Sequence, residues 1–267
     1  YRQDKIFSSS NKGLLLDGKD KRLSQKESYN HLALISRTGG GKTTSYVIPN
    51  IFKLALNNNS IVITDISGEL YNSTSGYLKS KGYKIYVLNP ENLDESIGFN
   101  PLFYIKDSLD IDELVNVLIK SNKETTNVNS ENEYWDNGAK LLISIFIKVL
   151  IAKNEYKYIN LSNVRHMINN FGSDGEALFS LIDEFADDST YNDFRGFIKM
   201  NPQTMLSIIS TANVALSPIS INENLAKLMS NHTINFDKIR KQKSVIYIKI
   251  PGQKQRQYRF LLNIFYN

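Results

Sequence analysis

Apolar residues follow two kinds of pattern along this chain. Between residues 32 and 102 they come as short runs broken by glycine, asparagine or charged residues; between 109 and 229 they recur at helical spacing; near 243–250 a short run returns. The first region predicts alternating strands and helices. Leu32-Ala33-Leu34-Ile35 reads as a strand, and Lys42 to Leu56 as a helix ended by Asn57-Asn58-Asn59. Pro49 inside that helix lacks an N–H, so the turn before it should loosen. The β-branched run Ser60-Ile61-Val62-Ile63-Thr64 reads as a buried parallel strand. A short helix is expected from about Ser73 to Gly82, then a third strand over Lys84–Leu88, stopped by Asn89-Pro90. Such alternation implies a parallel α/β sheet.

The middle of the chain predicts helices only. Leu114, Val117 and Leu118 share one helical face. Ser130 and Glu133 form a capping box above the stripe Trp135, Ala139, Leu142, Phe146 and Val149, and polar residues 121–132 separate the two helices. Further helices fit 161–169, 174–186, 190–198, 205–217 and 222–229. Lys243 to Ile250 then reads as a strand ended by Pro251-Gly252, with a last helix from about Gln255. The simplest layout is a sheet domain from residues 1–107 and 232–267, interrupted by an all-α insert over 108–231. The longest apolar run, Leu141 to Ala152, contains Ser144 and Lys148. It falls short of the roughly 20 residues a membrane span needs and reads as a buried helix.

Composition narrows the chemistry. With 41% hydrophobic and 22% charged residues among 267, the chain is ordinary for a globular protein. The absence of cysteine excludes disulfides, zinc–cysteine sites and cysteine nucleophiles. A net charge of +5 permits contact with nucleic acid or anionic membranes without demanding it. The first 20 residues are polar and carry no signal-peptide pattern; the chain begins with Tyr1, so residues are expected upstream.

The most informative stretch is Ser36-Arg37-Thr38-Gly39-Gly40-Gly41-Lys42-Thr43-Thr44. A glycine loop between a strand and a helix lets backbone N–H groups approach phosphate oxygens, and the helix dipole favours the same anion. The pattern assigns Thr38, Gly39, Gly40, Gly41, Lys42, Thr43 and Thr44 to nucleotide binding. Lys42 would reach the β- and γ-phosphates of ATP, and the Thr43 hydroxyl would ligate Mg²⁺. Ser36 stands where the full pattern has glycine. Arg37, at a variable loop position, reads as a solvated side chain.

A phosphate hydrolase also needs a carboxylate at a strand end, to hold Mg²⁺, and a neighbour that orients water. Leu181-Ile182-Asp183-Glu184 has the right letters. But Leu178, Leu181, Ile182 and Phe185 fall at helical spacing behind the capping box Ser173–Glu176, so Asp183 and Glu184 read as a solvated helix face. Asp65 is the better candidate for metal ligand and catalytic acid, with Glu69 as its partner, because it follows an apolar strand at the carboxyl end of the sheet. The competing reading makes Asp65 a helix cap. A true Asp-Glu pair on a further strand beyond Asn267 is a third possibility.

At this point the residues resemble a known family, the TraG/TraD-type coupling proteins of type IV secretion and conjugation. The matches run in order: Gly13-Leu14-Leu15-Leu16, His31, the glycine loop, Ile48-Pro49, and Val62-Ile63-Thr64-Asp65-Ile66-Ser67-Gly68-Glu69-Leu70-Tyr71. Asn100-Pro101-Leu102, Tyr134-Trp135 with Ala139, and Val245-Ile246-Tyr247 follow. Departures are Ser36, Ile66-Ser67 for Pro-Lys, and Asn89 for aspartate. The resemblance implies a RecA-like P-loop ATPase domain, a parallel sheet interrupted by the all-α insert. It implies a homo-hexamer held at the cytoplasmic face of the bacterial membrane by transmembrane helices outside this chain. It also implies partners: DNA, a relaxase or other DNA–protein cargo, and secretion-channel proteins. On that reading the chain is a piece cut on both sides. The basic residues Lys238, Arg240, Lys241, Lys243, Lys254, Arg256 and Arg259 either face nucleic acid or form a solvated surface, since no aromatic residues interleave them for stacking. Two other functions compete: a nucleotide-regulated docking module without motor activity, and a small-molecule phosphotransferase with the insert as lid.

Overall fold

The computed structural model describes residues 7–8, 12–17, 21–37, 39–121, 130–171 and 175–267. In chain order the first elements are β1 (Phe7–Ser8), β2 (Arg22–Leu23), α1 (Ile48–Leu56), β3 (Ile61–Thr64), α2 (Glu69–Ser80) and β4 (Lys84–Leu88). The helices α3 (Ser108–Ser121), α4 (Ser130–Lys153), α5 (Leu161–Asn170), α6 (Gly175–Phe185), α7 (Asp188–Ile198) and α8 (Pro202–Ala215) follow. The chain ends with α9 (Ser217–Ile221), α10 (Glu223–Ser230), α11 (Phe236–Lys241), β5 (Ser244–Ile248) and α12 (Arg259–Tyr266). Two compact units result: Tyr1–Ile97 with Asn235–Gly252, and Gly98–Ile234 with Gln253–Asn267.

The first unit is built on a parallel sheet of order β3–β5–β4. Ile61 pairs with Val245 and Thr64 with Ile248; Lys84 pairs with Ser244 and Leu88 with Ile248. β5 lies between the other two, and all five of its residues are buried. Ile51 and Ala55 of α1, Leu78 of α2, and Ile63, Tyr83, Val245 and Tyr247 make one core on the sheet. The Tyr83 hydroxyl donates to the carbonyls of Ala55 (3.1 Å) and Asn59 (2.9 Å), satisfying acceptors at the end of α1.

Pro49 does what its missing N–H predicts. Residues Thr43–Val47 wind as a wider π turn, in which the Ile48 N–H bonds the Thr43 carbonyl, and α1 continues from there. One turn into it, Asn50 is buried. Its Oδ1 accepts from the Leu15 N–H (2.7 Å), and its Nδ2 donates to the carbonyls of Leu15 and Tyr46 (both 2.9 Å). The Gly13–Leu16 segment is thereby fastened to the helix that follows the glycine loop.

Four sequence expectations change. Leu32–Ile35 is not a strand: the segment is irregular, and Ile35 is 91% exposed. Apolar composition permits a strand, but a ladder makes one, and no described strand runs beside it. β3 is buried on one face only, with Val62 53% exposed and Ile63 in the core. α2 begins at Glu69, four residues ahead of the expected start, because Asp65 caps it. The last helix starts at Arg259 and packs on α3, within the helical unit. Phe265 meets Phe99 at 5.0 Å, and Asn263 donates to Ser121 Oγ at 3.1 Å. The apolar face of α12 (Phe260, Leu261, Ile264) thus sets its partner, where sequence order had put it with the sheet.

In the second unit α4 is central, with α3, α5, α6, α7 and α8 against it. Being surrounded, it buries Ile143, Ile145 and Ile147 as well as Ala139, Leu142, Phe146 and Val149 of the expected stripe. On α3 the buried face is Ile111, Val115, Leu118 and Ile119, while Leu114 and Val117 are half-buried. The Ser130 side chain of one expected capping box, and Ser173 with the Glu176 side chain of the other, lie outside the described residues. Asn100 is fully buried, accepting from the Leu102 N–H (3.1 Å) and donating to the Ile159 carbonyl (2.6 Å).

Asn50→Ala leaves the Leu15 N–H and carbonyl unpaired in a buried setting. The expected loss is about 2–4 kcal/mol, one desolvation penalty for each group. Urea denaturation with an unchanged slope checks it; a loss below about 1 kcal/mol would show that water replaces the amide.

Candidate functional site

The glycine loop turns by two left-handed residues, Gly39 (φ 73°) and Gly41 (φ 76°). Gly40 is constrained by space: a Cβ there would lie 2.7 Å from Ser36 Oγ and 2.9 Å from the Arg37 carbonyl oxygen. Its N–H donates to that carbonyl at 3.0 Å, closing the turn. The amides of Gly41, Lys42, Thr43 and Thr44 meet no acceptor among the described residues. They are consecutive donors at the positive end of a helix, the arrangement that suits a phosphate.

Lys42 folds back along the loop. Its Nζ donates to the Ser36 carbonyl (3.0 Å), Ser36 Oγ (3.1 Å) and the Arg37 carbonyl (3.0 Å). Ser36, the departure from the motif, is therefore an acceptor for the motif lysine. All three acceptors are neutral, so among the described residues no carboxylate neutralises the ammonium. Thr44 Oγ1 donates to the Gly41 carbonyl at 3.2 Å, whereas the Thr43 hydroxyl makes no hydrogen bond among the described residues. Ammonium, free hydroxyl and amide row together fit a nucleotide phosphate with Mg²⁺. Thr38, the other loop residue expected to bind, lies outside the described residues.

Asp65 sits at the carboxyl end of β3, 2% exposed, and its N–H continues the ladder by donating to the Ile248 carbonyl at 2.8 Å. Its side chain accepts from the N–H groups of Leu70 (3.3 Å) and Tyr71 (2.7 Å). Both oxygens thus cap α2, which Gly68 (φ 77°) starts at a sharp angle. Glu69 is exposed in the first turn of α2, where the dipole favours a carboxylate. Asp183 and Glu184 are exposed on α6, as their helical spacing implied. Of the basic residues, Lys238, Arg240, Lys241 and Lys243 are exposed on the sheet unit; Arg256 and Arg259 are exposed and Lys254 half-buried on the helical unit.

Sequence reasoning missed two residues of this edge. Lys249, directly after β5, points its Nζ to Glu95 (3.5 Å) and over the Tyr71 ring (4.7 Å). Its Cε lies 3.8 Å from where a Gly68 Cβ would be, so a lysine reaches the Ser67–Gly68 corner from another strand. A lone lysine closing an apolar strand gave no signal. The second is Tyr247. Thr74 Oγ1 donates to the Leu70 carbonyl (2.6 Å), which makes the Tyr247 hydroxyl the donor in their 2.6 Å contact. Burial pushes this phenol up to about 12.

A parallel α/β unit with a glycine loop feeding a helix, interrupted by a helical unit, defines the class: a RecA-like P-loop fold. Solved structures carry the same fold. An unbound form of the bacterial conjugative coupling protein TrwB aligns over 96% of this chain and 53% of its own, with TM-score 0.66 and 14% identity. TrwB with the ATP analogue ADPNP aligns over 97% and 56% (TM-score 0.66, 13% identity), and TrwB with ADP and Mg²⁺ over the same shares (TM-score 0.65, 14% identity). The chain spans about half the length of these TrwB structures. The family model for type IV secretory system conjugative DNA transfer matches residues 3–267, and the chain belongs to that family. No curated protein sequence matches it. Among the described residues no helix is long and apolar enough to cross a membrane.

The raised Tyr247 pKa predicts an alkaline signature. The folded state holds the phenol proton more tightly than the unfolded chain does. Its contribution is therefore full below pH 10 and is lost as pH rises from 10 towards 12. Tyr247→Phe should flatten this part of the stability curve. An identical decline in both proteins between pH 10 and 12, followed by urea unfolding, would refute the assignment.

Proposed function

We propose that the chain is the P-loop and helical part of an ATP-driven coupling protein that recruits relaxase-bound DNA and passes it to a type IV secretion channel. One observation supports this most. The amides of 41–44, the Lys42 ammonium with only neutral acceptors among the described residues, and the Thr43 hydroxyl, without a hydrogen bond among them, stand together in a chain of the conjugative DNA transfer family. In this reading the Thr38–Thr44 loop holds the phosphates of ATP. Lys42 stabilises charge that develops on the transferring phosphoryl group. The Thr43 hydroxyl would hold Mg²⁺, which when bound would supply charge neutralisation to the phosphates. Asp65 would help to hold that ion with carboxylate lone pairs beyond its two capping bonds, and Glu69 would orient the attacking water. The helical insert, residues 108–231, contacts the cargo. A homo-hexamer, anchored to the membrane by segments outside this chain, supplies each site with a neighbour's arginine and forms the pore. TrwB structures with ADPNP and with ADP and Mg²⁺ are consistent with these nucleotides here.

Asp65 also favours a second reading. Buried, with both oxygens already capping α2, it suits a nucleotide-regulated docking module without turnover.

Lys42→Ala should weaken ATP affinity at least tenfold and abolish hydrolysis in the full-length protein, as followed by fluorescent-nucleotide titration and phosphate release. Unchanged affinity and turnover would sink the nucleotide reading. Asp65→Asn separates the motor from the docking module. The motor requires turnover to fall by roughly 100-fold or more with Mg²⁺-free nucleotide binding retained, the scale of removing one preorganised charge-stabilising group. A fall in stability of about 1 kcal/mol with turnover intact would leave Asp65 a cap alone.

A further inference from the structure

Beside α2 the sheet unit carries a groove of about 320 Å³. Tyr71, Ser75 and Lys79, four residues apart on one face of α2, form one wall together with Gly76. Tyr83, Lys84 and Ile85, where β4 begins, form the other. β4 is an outer strand of the sheet, and the ladder fixes which of its backbone groups are used. The Lys84 N–H donates to the Lys243 carbonyl and the Lys249 N–H to the Leu88 carbonyl, both at 2.9 Å. Residues 84, 86 and 88 therefore face β5, and Ile85 and Val87 turn their N–H and C=O groups the other way. The Ile97 N–H donates to the Val87 carbonyl at 2.7 Å, whereas Ile85 meets no backbone partner on that side among the described residues. Glycine weakens a helix interior, yet a Cβ on Gly76 would meet nothing within 4 Å, so packing inside the chain does not call for glycine there. Lys79 and Lys84 are exposed and form no ion pair among the described residues, and none of the lining residues is acidic.

We propose that this groove is a docking site for an extended acidic segment of a partner protein, which adds to the edge of β4 as a further strand. The Ile85 N–H and C=O present a donor and an acceptor side by side, which a peptide backbone matches residue for residue. An apolar side chain of the added strand rests against Ile85 and Tyr71, in the room left over Gly76, and its carboxylates meet Lys79 and Lys84. The same lysines argue against a second copy of this chain. Two β4 edges side by side would bring like charges together, a device by which exposed edges avoid pairing with themselves. The rim thus selects an acidic guest over a basic one and over the chain itself. None of these residues belongs to the glycine loop, so the inference stands apart from the nucleotide reading.

The test is titration of the isotope-labelled whole chain with the end-capped peptide Glu-Val-Glu-Val-Glu, followed by amide chemical shifts and hydrogen exchange. The Ile85 amide should shift, and its exchange should slow as the peptide binds. Methylating the valine nitrogens of the peptide should weaken binding about tenfold, the scale of a lost hydrogen bond. Lys79→Gln with Lys84→Gln should weaken it roughly three- to tenfold, as two exposed ion pairs allow, and flatten its salt dependence. Gly76→Leu should fill the groove and weaken binding by about tenfold or more, while the melting temperature holds or rises because leucine favours a helix. Should that variant not fold, Gly76→Ala makes the same test with a smaller side chain. Unslowed exchange at Ile85, equal binding of Lys-Val-Lys-Val-Lys, or full affinity in folded Gly76→Leu would each overturn the proposal. So would light scattering that shows a dimer dispersed by the peptide, which would assign the edge to a second copy. Lys42→Ala is expected to leave peptide binding intact, so failure of the nucleotide reading and failure of this one are separately visible.

Discussion

The sheet unit hangs on one strand that the chain supplies late. β5 lies between β3 and β4, and its partner Ile61 is roughly 180 residues from Val245. Without β5 the other two strands do not touch, and the core formed by Ile63, Val245 and Tyr247 with α1 and α2 has no middle. Parallel pairing always needs a crossover, but here the crossover is an entire helical unit. The entropic penalty is mild: closing a loop of roughly 180 residues instead of 20 adds about 2 kcal/mol. The kinetic consequence is larger, since non-local pairing slows folding. The intervening residues form a helical unit with its own core, centred on α4, so the separation of β5 from its partners is spanned largely by compact structure in the folded chain.

Once β5 is in place, its end organises the edge where ligands bind in open α/β sheets. The Ile248 carbonyl receives the Asp65 N–H, the Leu88 carbonyl receives the Lys249 N–H, and the Tyr247 hydroxyl bonds Thr74 inside α2. Asp65 then caps that same helix. The start of α2 is therefore held by a carboxylate from β3, a phenol and a lysine from β5, and a left-handed glycine between them. Glu69 inherits its position from all four. A capping role and a role at a metal are not exclusive for such a carboxylate, but they compete for the same oxygens. The burial of Asp65 makes that competition the central chemical question of the site.

Much of this was legible in the residues. Turn chemistry and β-branched runs located β3, β4 and β5, and helical spacing separated the decoy Asp183-Glu184 from strand-end acids. The glycine loop was plain from its letters, as was its helix, whose odd proline became a π turn. What was not legible depended on partners. Leu32–Ile35 had strand composition but no ladder. The buried face of α3 was set by α4, not by its own periodicity. α12 followed the aromatic residues it packs on, not its place in the sequence. Lys249 and Tyr247 reach the start of α2 only because pairing register brings strand ends together, which no local pattern encodes.

The glycine loop presents backbone amides and one lysine. Those donors are fixed by the helix and cannot be exchanged for other side chains without losing the turn, since even a Cβ on Gly40 would strike Ser36. Such a cradle suits a compact terminal phosphate whose charge changes during a reaction.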